Sequence, residues 1–387
     1  MTTYLSNPAV FCAAGKTADD FFDSLILKNQ SQIVKTDVYG KSFFAAKIPN
    51  ALPSTLDKFD SHCLRILNSC LLQILPAVEK AKSLYGKNRI GVCLGSCDNG
   101  SERSLLAHKA FFENGAFPRE YSIREQGAEY FASFASKILD VCGVSLAFST
   151  ACSSSASALL VAKELILSGE CDAVVAGGVD VASQTALLGF DSLGAISQKI
   201  TNPMSANRSG ITLGDGAAFF VLSRDDLEKT NIALFGAGES SDANHMTSPK
   251  EDGSGAASAM ENAILNAKID KSKIGYINLH ATGTILNDAM ESRAVKTVFG
   301  ESPVFVSGTK PITGHTLGAA GALELAACFL SMKKNKLPPH VWDGVTDEKI
   351  PLLNFVKSGE NAKIDFCMSN TFAFGGCNVS LIIGNAL

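Results

Sequence analysis

Cys152 is the residue of this chain best placed to act as a nucleophile. It lies in Ser149-Thr-Ala-Cys-Ser-Ser-Ser155, directly after the apolar run Val144–Phe148, and a helical pattern of small residues follows it. This arrangement predicts a buried strand that delivers the sulfur to the first turn of a helix. Unpaired N–H groups and the positive end of the helix dipole at such a site favour thiolate over thiol. The context matters because the chain has 11 cysteines, and a buried cysteine is usually an inert apolar side chain.

Later segments carry residue types that could complete a reaction centre with this thiol. Each lies in a loop at the end of a predicted strand, which is where α/β folds place their chemistry. A lone histidine is more often structural than functional, but both histidines concerned lie in Gly- and Thr-rich loops, which favours function. The segments are His280-Ala-Thr-Gly-Thr284, continuing to Asp288 and Glu291; Ser307–His315, which includes Lys310; and Asn370–Asn378, which includes Phe372 and Phe374.

A thiolate and two imidazoles suit carbon–carbon bond formation on thioesters. The thiol of Cys152 would take an acyl group covalently. The neutral rings of His280 and His315 would donate hydrogen bonds to the thioester oxygen of a second substrate and stabilise its enolate. Backbone N–H groups of Cys152 and Phe374 are candidates for the oxyanion hole of the acyl-transfer step.

Apolar strand-like runs alternate with helical patterns along the chain, which indicates an α/β protein with a largely buried sheet. The charged stretch Arg224–Lys229 lies near the midpoint, and the second half repeats the element order of the first. Predicted strands are Arg89–Leu94, Val144–Phe148, Ala173–Ala176, Ala217–Leu222, Ile232–Phe235, Ile274–Leu279, Val304–Val306, Phe366–Met368 and Val379–Ile383, and predicted helices are Gly255–Ala267, Asp288–Phe299 and Leu317–Met332, besides the one after Cys152.

Composition and charge exclude several classes of function. Hydrophobic residues make up 46% and charged residues 19% of the 387, so a large core is expected and disorder is not. No apolar run reaches the roughly 18 residues of a membrane-spanning helix, and the start of the chain lacks a secretion signal. The net charge of −4 argues against nucleic-acid binding. Because the cysteines form no disulfide or zinc pattern, we expect a cytoplasmic protein without a metal site.

The ordered set of motifs resembles the β-ketoacyl-acyl-carrier-protein synthases of the thiolase superfamily, in particular the II-like branch. The resemblance covers nearly the full chain. It implies an α/β, thiolase-like five-layer αβαβα fold built from two pseudo-symmetric halves, with the nucleophile in residues 1–229 and both histidines and a phenylalanine gate in residues 230–387. The motifs are Ser149–Ser154, Leu213–Gly216, Ser240–Pro249, His280–Asp288, Gly308–His315 and Phe372–Gly376.

The resemblance also implies a reaction. A Cys-bound acyl group would undergo decarboxylating Claisen condensation with malonyl-acyl-carrier-protein, in fatty-acid or specialised polyketide or polyene synthesis. Substrates would arrive on the phosphopantetheine of an acyl carrier protein, with no metal or organic cofactor, and the protein would be a homodimer or a heterodimer with a related subunit. The implied roles are Cys152 as nucleophile, His280 and His315 as the decarboxylation and condensation pair, Lys310 as the lysine that orders the centre with Glu291 as its acidic neighbour, Phe374 as the gate, and Asp288, Phe372, Thr282 and Thr284 as supporting residues.

The segment after Gly95-Ser96 departs from the family pattern. It reads Cys97-Asp98-Asn99, where related synthases commonly have Gly and a large apolar residue, so Cys97 and Asp98 are candidates for the acyl pocket. A carboxylate buried beside an alkyl chain is costly unless it is paired or neutralised. Either Asp98 turns away and pairs with a polar group, or the pocket holds a shorter, more polar or unsaturated chain. The departure favours a specialised polyketide or polyene pathway.

Two other classes of function stay open at this point. A non-elongating or chain-length-setting subunit of a synthase heterodimer would resemble these enzymes but lack the nucleophile, and the presence of Cys152, His280 and His315 argues against it. A thioester-cleaving or CoA-dependent relative would be favoured by a second active-site cysteine, for which Cys377 is the only candidate, or by Asn in place of one histidine.

Overall fold

A computed structural model describes residues 2–49, 51–55 and 57–386. The strands are β1 Tyr4–Leu5, β2 Ala9–Cys12, β3 Ile33–Val38, β4 Lys41–Ala46, β5 Ile90–Gly95, β6 Ser145–Phe148, β7 Ala173–Asp180, β8 Leu213–Gly214, β9 Gly216–Ser223, β10 Ile232–Ser241, β11 Ile274–Asn278, β12 Phe305–Ser307, β13 Lys336–Leu337, β14 Glu360–Asn361, β15 Phe366–Phe372 and β16 Cys377–Asn385. The α-helices are α1 Ala18–Leu27, α2 His62–Tyr85, α3 Ser101–Asn114, α4 Ala128–Leu139, α5 Ser154–Leu167, α6 Gln184–Ser192, α7 Ser254–Ala267, α8 Ile285–Phe299, α9 Lys310–Thr313 and α10 Ala320–Lys334.

The main sheet runs through both halves of the chain. Its order is β12-β11-β15-β16-β10-β1-β9-β7-β5-β6, and β2 pairs with β9. The short β1 joins the halves, because Leu5 pairs with Leu222 of β9 and Tyr4 pairs with Ala233 of β10. The border that the sequence places after residue 229 falls in the loop between β9 and β10.

The helices cover the strands in layers. Helices α2 and α4 lie on the outer face of the N-terminal strands, and α7 and α8 lie on the outer face of the C-terminal strands. Between the two sets of strands, α5 contacts β5 and β7, and α10 contacts β9 and β15. The layers are therefore α, β, α, β, α, which confirms the predicted five-layer fold.

The central layer is tightly packed because α5 and α10 carry small residues where they meet. A Cβ added to Gly321 of α10 would lie 2.8 Å from the Ala156 Cβ of α5. Across the same contact, the Ala322 N–H donates a 3.0 Å hydrogen bond to Ser155 Oγ. Cys152 immediately precedes α5 and His315 precedes α10, so this packing fixes the two residues relative to each other.

Each predicted strand and helix corresponds to an element of the structure, although β7, β10 and β15 extend four to six residues beyond their predicted ends. The sequence analysis did not assign the elements of the first 85 residues, nor α3, α4 and α6. One prediction is wrong in environment. Strand β6 was expected to be buried, yet it is the edge of the sheet, and Leu146 is 37% exposed. An apolar edge strand of this kind is a surface that proteins normally cover.

The longest helix, α2, has 24 residues and contains Pro76. Neither α2 nor any other helix within the described part of the chain has the length and apolar composition needed to cross a bilayer.

Candidate active site

Cys152 is buried in a 3-10 turn, Ala151–Ser153, just before α5 rather than in the first turn of that helix. Ala151 has a φ of 51°, in the left-handed region that residues with a side chain rarely adopt. The Thr150 N–H donates a 3.0 Å hydrogen bond to Ser154 Oγ across the bend. The chain therefore turns sharply at the nucleophile, between β6 and α5.

His315 faces the thiol directly. Its Nε2 lies 3.1 Å from Cys152 Sγ. The His315 N–H donates to the Thr212 carbonyl at 2.6 Å, and its carbonyl accepts from the Gly214 N–H at 3.0 Å. Backbone pairing with the region of β8 thus holds this ring beside the sulfur.

His280 follows β11, and its ring centre lies 5.3 Å from that of His315. Lys310 Nζ lies 3.2 Å from His280 Nδ1 and also donates to the His280 carbonyl. Because an ammonium group can only donate, Nδ1 must act as acceptor, and the neutral ring carries its proton on Nε2. Lys310 therefore selects the tautomer in which His280 offers an Nε2–H donor.

The carboxylate paired with Lys310 is Glu324, not Glu291 as the resemblance implied. Lys310 Nζ donates to Glu324 on α10, and both side chains are buried. Glu291 instead accepts the backbone N–H groups of His280 and Ala281, each at 2.7 Å. It shapes the turn after β11, where Ala281 has a φ of 42°.

Burial keeps both imidazoles neutral. It lowers the pKa of His280 well below the usual value, and the charge of Lys310 lowers that pKa further. Burial, Lys310 and His280, in that order, lower the pKa of His315. A neutral ring with an Nε2–H can donate to a developing enolate oxygen without itself being an acid that protonates the carbanion.

The resting site favours the thiol of Cys152, contrary to the thiolate that its sequence context predicts. Burial raises the pKa of Cys152 to about 11, although Lys310 and a hydrogen bond from the Phe374 N–H lower it. Cys152 also lies before the first residue of α5, Ser154, so it is not within the first turn of that helix, where the helix dipole would stabilise a thiolate. A proton must leave Sγ when the sulfur attacks, and His315 Nε2 lies within hydrogen-bonding distance.

A cavity of about 250 Å³ opens onto the thiol and both rings. Phe372 lines it, with its ring centre 6.3 Å from that of His280. Thr282 and Thr284 also line it, and their hydroxyl oxygens are 3.0 Å apart. The wall further combines the polar residues Asp242, His245, Ser248, Asn287 and Asn378 with the apolar residues Leu193, Ile285, Leu286 and Met290.

Phe374 lies in the loop between β15 and β16 and also lines the cavity. Gly375 and Gly376 follow it with φ values of 86° and 78°, so this loop conformation depends on glycine. The Gly375 N–H donates to the Met246 carbonyl at 2.7 Å, and the Asp242 N–H donates to the Gly376 carbonyl at 2.9 Å. The loop is thus tied to a second segment at the cavity wall.

Asp288 lies outside the cavity and is fully buried. Its carboxylate accepts the Met204 N–H at 2.7 Å and the Gly283 N–H at 3.1 Å. Asp288 therefore braces the loop that carries Thr282 and Thr284 from behind.

Cys97 and Asp98 also lie outside this cavity. Asp98 Oδ1 accepts the hydroxyls of Ser101 and Ser183, each at 2.6 Å. The sequence left two alternatives for Asp98, and the structure shows the first of them, in which the carboxyl turns away from the cavity and pairs with polar groups. Burial nevertheless raises the pKa of Asp98.

One ligand atom each from Cys152, His280 and His315 lies within 4.8 Å of the others. This donor set is also one that Zn²⁺ accepts. Lys310 lies beside His280, and its positive charge would repel a bound divalent cation. The three residues are therefore better suited to covalent chemistry than to metal binding.

Three acidic residues that the sequence analysis did not single out support the site, namely Glu324, Asp242 and Asp180. Glu324 pairs with Lys310, Asp242 holds the Phe374 loop, and Asp180 ends β7 beside the residues after β5. Glu324 is a single charge inside an apolar helix and Asp180 ends an apolar strand. A lone charge in an apolar run is the signal that could have identified both, because such a group needs a partner.

The chain belongs to the β-ketoacyl synthase family. Residues 15–228 match the family model of the N-terminal domain, and residues 233–342 match that of the C-terminal domain. The 3-oxoacyl-acyl-carrier-protein synthase 2 of Vibrio cholerae is 36% identical over 317 residues, covering 76% of this chain and 75% of that protein. The protein of the same name from Staphylococcus aureus is 30% identical over 325 residues, covering 79% of this chain and 80% of its own.

Solved structures share the fold over the whole length. A chain in the complex of a ketosynthase with its chain length factor, from Xenorhabdus doucetiae, superposes with a TM-score of 0.93 and 35% identity, covering 100% of this chain and 98% of that one. A β-ketoacyl synthase from Burkholderia phymatum superposes with a TM-score of 0.88 and 28% identity, covering 99% of each chain.

Proposed function

We propose that the protein joins a Cys152-bound acyl group to malonyl-acyl-carrier-protein and releases β-ketoacyl-acyl-carrier-protein and CO₂. It would be an acyltransferase of the condensing type. The observation that carries the proposal is the thiol of Cys152 held 3.1 Å from His315 Nε2, in one buried site with a neutral His280.

In the first half-reaction, Cys152 Sγ forms a bond to the acyl carbonyl carbon while its proton passes to His315 Nε2. The bond to the carrier sulfur breaks, and that sulfur takes the proton from His315 Nε2 and leaves as a thiol, which returns His315 to its neutral form. The N–H groups of Cys152 and Phe374 are the proposed oxyanion hole for the tetrahedral intermediate. The Phe374 N–H lowers the pKa of Cys152, which places this donor near the sulfur and the carbon that would react.

In the second half-reaction, malonyl thioester loses its carboxylate as CO₂ and becomes an enolate. His280 donates its Nε2–H to the enolate oxygen. Nδ1 of His315 has no hydrogen-bond partner within the described residues, so once Cys152 is acylated the neutral ring can exchange its proton through solvent from Nδ1 to Nε2 and donate to the same oxygen. The enolate carbon attacks the acyl carbonyl, and the Cys152 sulfur leaves as a thiolate that takes up a proton from solvent to restore the resting thiol. Lys310 contributes by holding Nδ1 of His280 as an acceptor, which keeps the reactive proton on the other nitrogen.

The cavity suits a slender substrate arm that contains amides. Thr282, Thr284 and Asn378 offer hydroxyl and amide groups, and Phe372 and Met290 offer apolar surface. A phosphopantetheine arm has this alternation of amide and methylene groups. An acyl carrier protein is therefore the proposed donor of both substrates, and the reaction needs no metal or organic cofactor.

The exposed apolar edge at β6 supports a paired chain as partner. Leu146 of β6 is 37% exposed, and further exposed apolar side chains elsewhere in the N-terminal half are Leu106 and Phe112 of α3 and Ile123, at 64%, 82% and 69%. Burying this surface would require a second copy or a related synthase subunit. Light scattering of the purified protein at several concentrations distinguishes a stable homodimer from a monomer that awaits another subunit. We propose that the assembly is cytoplasmic. We also propose that each chain consists of two thiolase-like halves, residues 1–229 and residues 230–387.

The test is acyl loading followed by intact-mass and peptide mapping. Wild type mixed with acyl-carrier proteins should gain one acyl group, on Cys152 alone, and Cys152→Ser should gain none. Cys377→Ser is the matched control and should load normally, since Cys377 is the cysteine that a thiolase-like mechanism would use. Loading on Cys377, or condensation by Cys152→Ala, would contradict the proposal.

A chain-length-setting subunit is the second candidate, favoured by the likeness to a chain from a ketosynthase–chain length factor complex. The two functions differ in one observation. An elongating subunit should decarboxylate malonyl-acyl-carrier-protein through its own histidines, whereas a chain-length-setting subunit should not.

A further inference from the structure

Asp180 is a buried carboxylate that the proposed reaction does not use. It ends β7, and its side chain is inaccessible to solvent. Its Oδ1 accepts the Ser96 hydroxyl at 2.8 Å and the Asp98 N–H at 2.9 Å. Its Oδ2 accepts the Cys97 N–H at 3.0 Å and the Gly318 N–H at 2.6 Å. Together the two oxygens therefore receive donors from two separate parts of the chain, and Oδ2 receives one from each.

These two parts flank the reaction centre. Residues 96–98 follow β5, next to β6, which leads into the turn of Cys152. Gly318 lies in the 3-10 turn Leu317–Ala319, three residues after His315. Leu317 has a φ of 50°, so this turn is strained and needs an external contact to hold it.

The contact between Gly318 and Asp180 leaves no free space around the glycine. A Cβ added there would lie 2.6 Å from Asp180 Oδ2 and 3.0 Å from the Cys97 N. Such distances leave no room for a side chain, so the carboxylate and the turn are fitted to each other.

We propose that Asp180 is a positioning residue of the reaction centre, which clamps the turn after His315 to the segment after β5 and so sets the imidazole against the Cys152 thiol. This inference rests on the proposed condensation. It assigns Asp180 a role through other residues, since the carboxylate touches neither Sγ nor an imidazole nitrogen.

The surroundings of Asp180 make its charge felt at the thiol. Burial first, and then the neighbouring Asp98, raise the pKa of Asp180 to about 7, against the hydrogen bonds that lower it. The charge of Asp180 in turn contributes to the raised pKa values of Cys63, Cys97 and Cys152. Removing the charge should therefore make Cys152 easier to ionise while loosening its alignment with His315.

The experiment compares Asp180→Asn with Asp172→Asn. Asp172 lies at the other end of the same strand and accepts Arg89 and Arg224, each at 2.7 Å, so its variant controls for a general loss of stability. For each protein, the rate of iodoacetamide alkylation of Cys152 is followed against pH by peptide mapping, and kcat and KM for condensation are measured separately.

For Asp180→Asn we expect a lower alkylation midpoint and a kcat reduced by about 10²-fold, the cost of a small misplacement of reacting groups, with KM little changed. Asp172→Asn should retain the wild-type midpoint and kcat. A wild-type kcat or an unchanged midpoint in Asp180→Asn would overturn the proposal, as would equal losses in Asp172→Asn. Alkylation needs no condensing activity, so it tests Asp180 even if the proposed reaction itself fails.

Gly318→Ala is a second variant that tests the same contact if Asp180→Asn does not fold. The added Cβ disturbs the same contact from the opposite side and leaves the charge in place. We expect kcat to fall while the alkylation midpoint changes less than in Asp180→Asn. A Gly318→Ala protein with wild-type kcat would contradict the clamp.

Discussion

Lys310 Nζ lies 3.2 Å from His280 Nδ1 and also donates to Glu324. One buried ammonium group thus selects the histidine tautomer and neutralises a buried carboxylate. The two tasks can be separated by mutation, because the first concerns catalysis and the second concerns stability.

Lys310→Met should lose stability and activity together. It leaves the buried Glu324 without its partner, which typically costs about 3–5 kcal/mol. The double variant Lys310→Met/Glu324→Gln removes both charges and should recover much of that stability, but not the decarboxylation rate. Urea unfolding and CO₂ release measure the two effects. A double variant that regained decarboxylation would show that the lysine does not orient His280.

His280→Ala should slow malonyl decarboxylation more than acyl loading, whereas His315→Ala should slow both steps, because His315 Nε2 also takes the Cys152 proton during loading. Enolate charge appears only in the second half-reaction, and removing one donor to such an oxygen costs about 10²–10³ in rate. Loading is read by intact mass and decarboxylation by CO₂ release from the same preparations. A His280→Ala variant that lost loading but kept wild-type decarboxylation, or a His315→Ala variant that loaded at the wild-type rate, would contradict these roles.

The free energy of unfolding should fall as pH rises from 6.5 to 8. Burial raises the pKa of Glu291 to about 8 and the pKa values of Asp180 and Glu324 to about 7, so the folded protein retains protons that the unfolded chain has released. Their stabilisation is complete below the unfolded pKa values, near about 4, and is lost as pH rises through the folded values. The buried histidines have lowered pKa values and act in the opposite direction, but only below their unfolded value of 6.5.

Urea unfolding at several pH values across this interval checks the prediction. Glu291→Gln removes one of these three titrating groups, so the stability of the variant should fall less steeply with pH, even though the variant is less stable throughout. A wild-type stability that stayed level or rose over the interval would contradict the assignment.

Gly375→Ala should slow acyl transfer without unfolding the protein. The added Cβ meets no atom within 4 Å, so its cost comes from the φ of 86° alone, about 1–2 kcal/mol. Gly344→Ala is a matched control, with a φ of 79° and equally open space. Both variants should lose similar stability, whereas only Gly375→Ala should reduce the loading rate if the Phe374 loop acts as a gate. Equal loading rates in the two variants would speak against the gate.

The loaded acyl group should be short, polar or unsaturated rather than long and saturated. The wall of the cavity that opens onto the thiol carries polar side chains, among them Asp242, Asn287 and Asn378, and such groups are costly to bury beside an alkyl chain. A loading competition between a long saturated and a short or polyunsaturated acyl-carrier protein measures the preference. Preferred loading of the long saturated chain would assign the protein to ordinary fatty-acid elongation.

The sequence by itself determined the alternation of strands and helices and the loops that carry Cys152, His280 and His315. Those features are encoded locally, in apolar periodicity and in short runs of glycine and threonine, so they could be read without the fold. The exposure of the apolar run before Cys152 could not be predicted from the local sequence, because it depends on which strand forms the edge of the sheet.

Only the tertiary structure decided which carboxylate serves Lys310. Glu291 and Glu324 lie on different helices, and the choice depends on how α8 and α10 pack around the loop of His280, with Glu291 taken up by backbone N–H groups. The protonation of Cys152 was decided in the same way. Its pKa follows from complete burial among groups that are distant in sequence, and desolvation outweighs the stabilisation that its place before a helix had led us to expect.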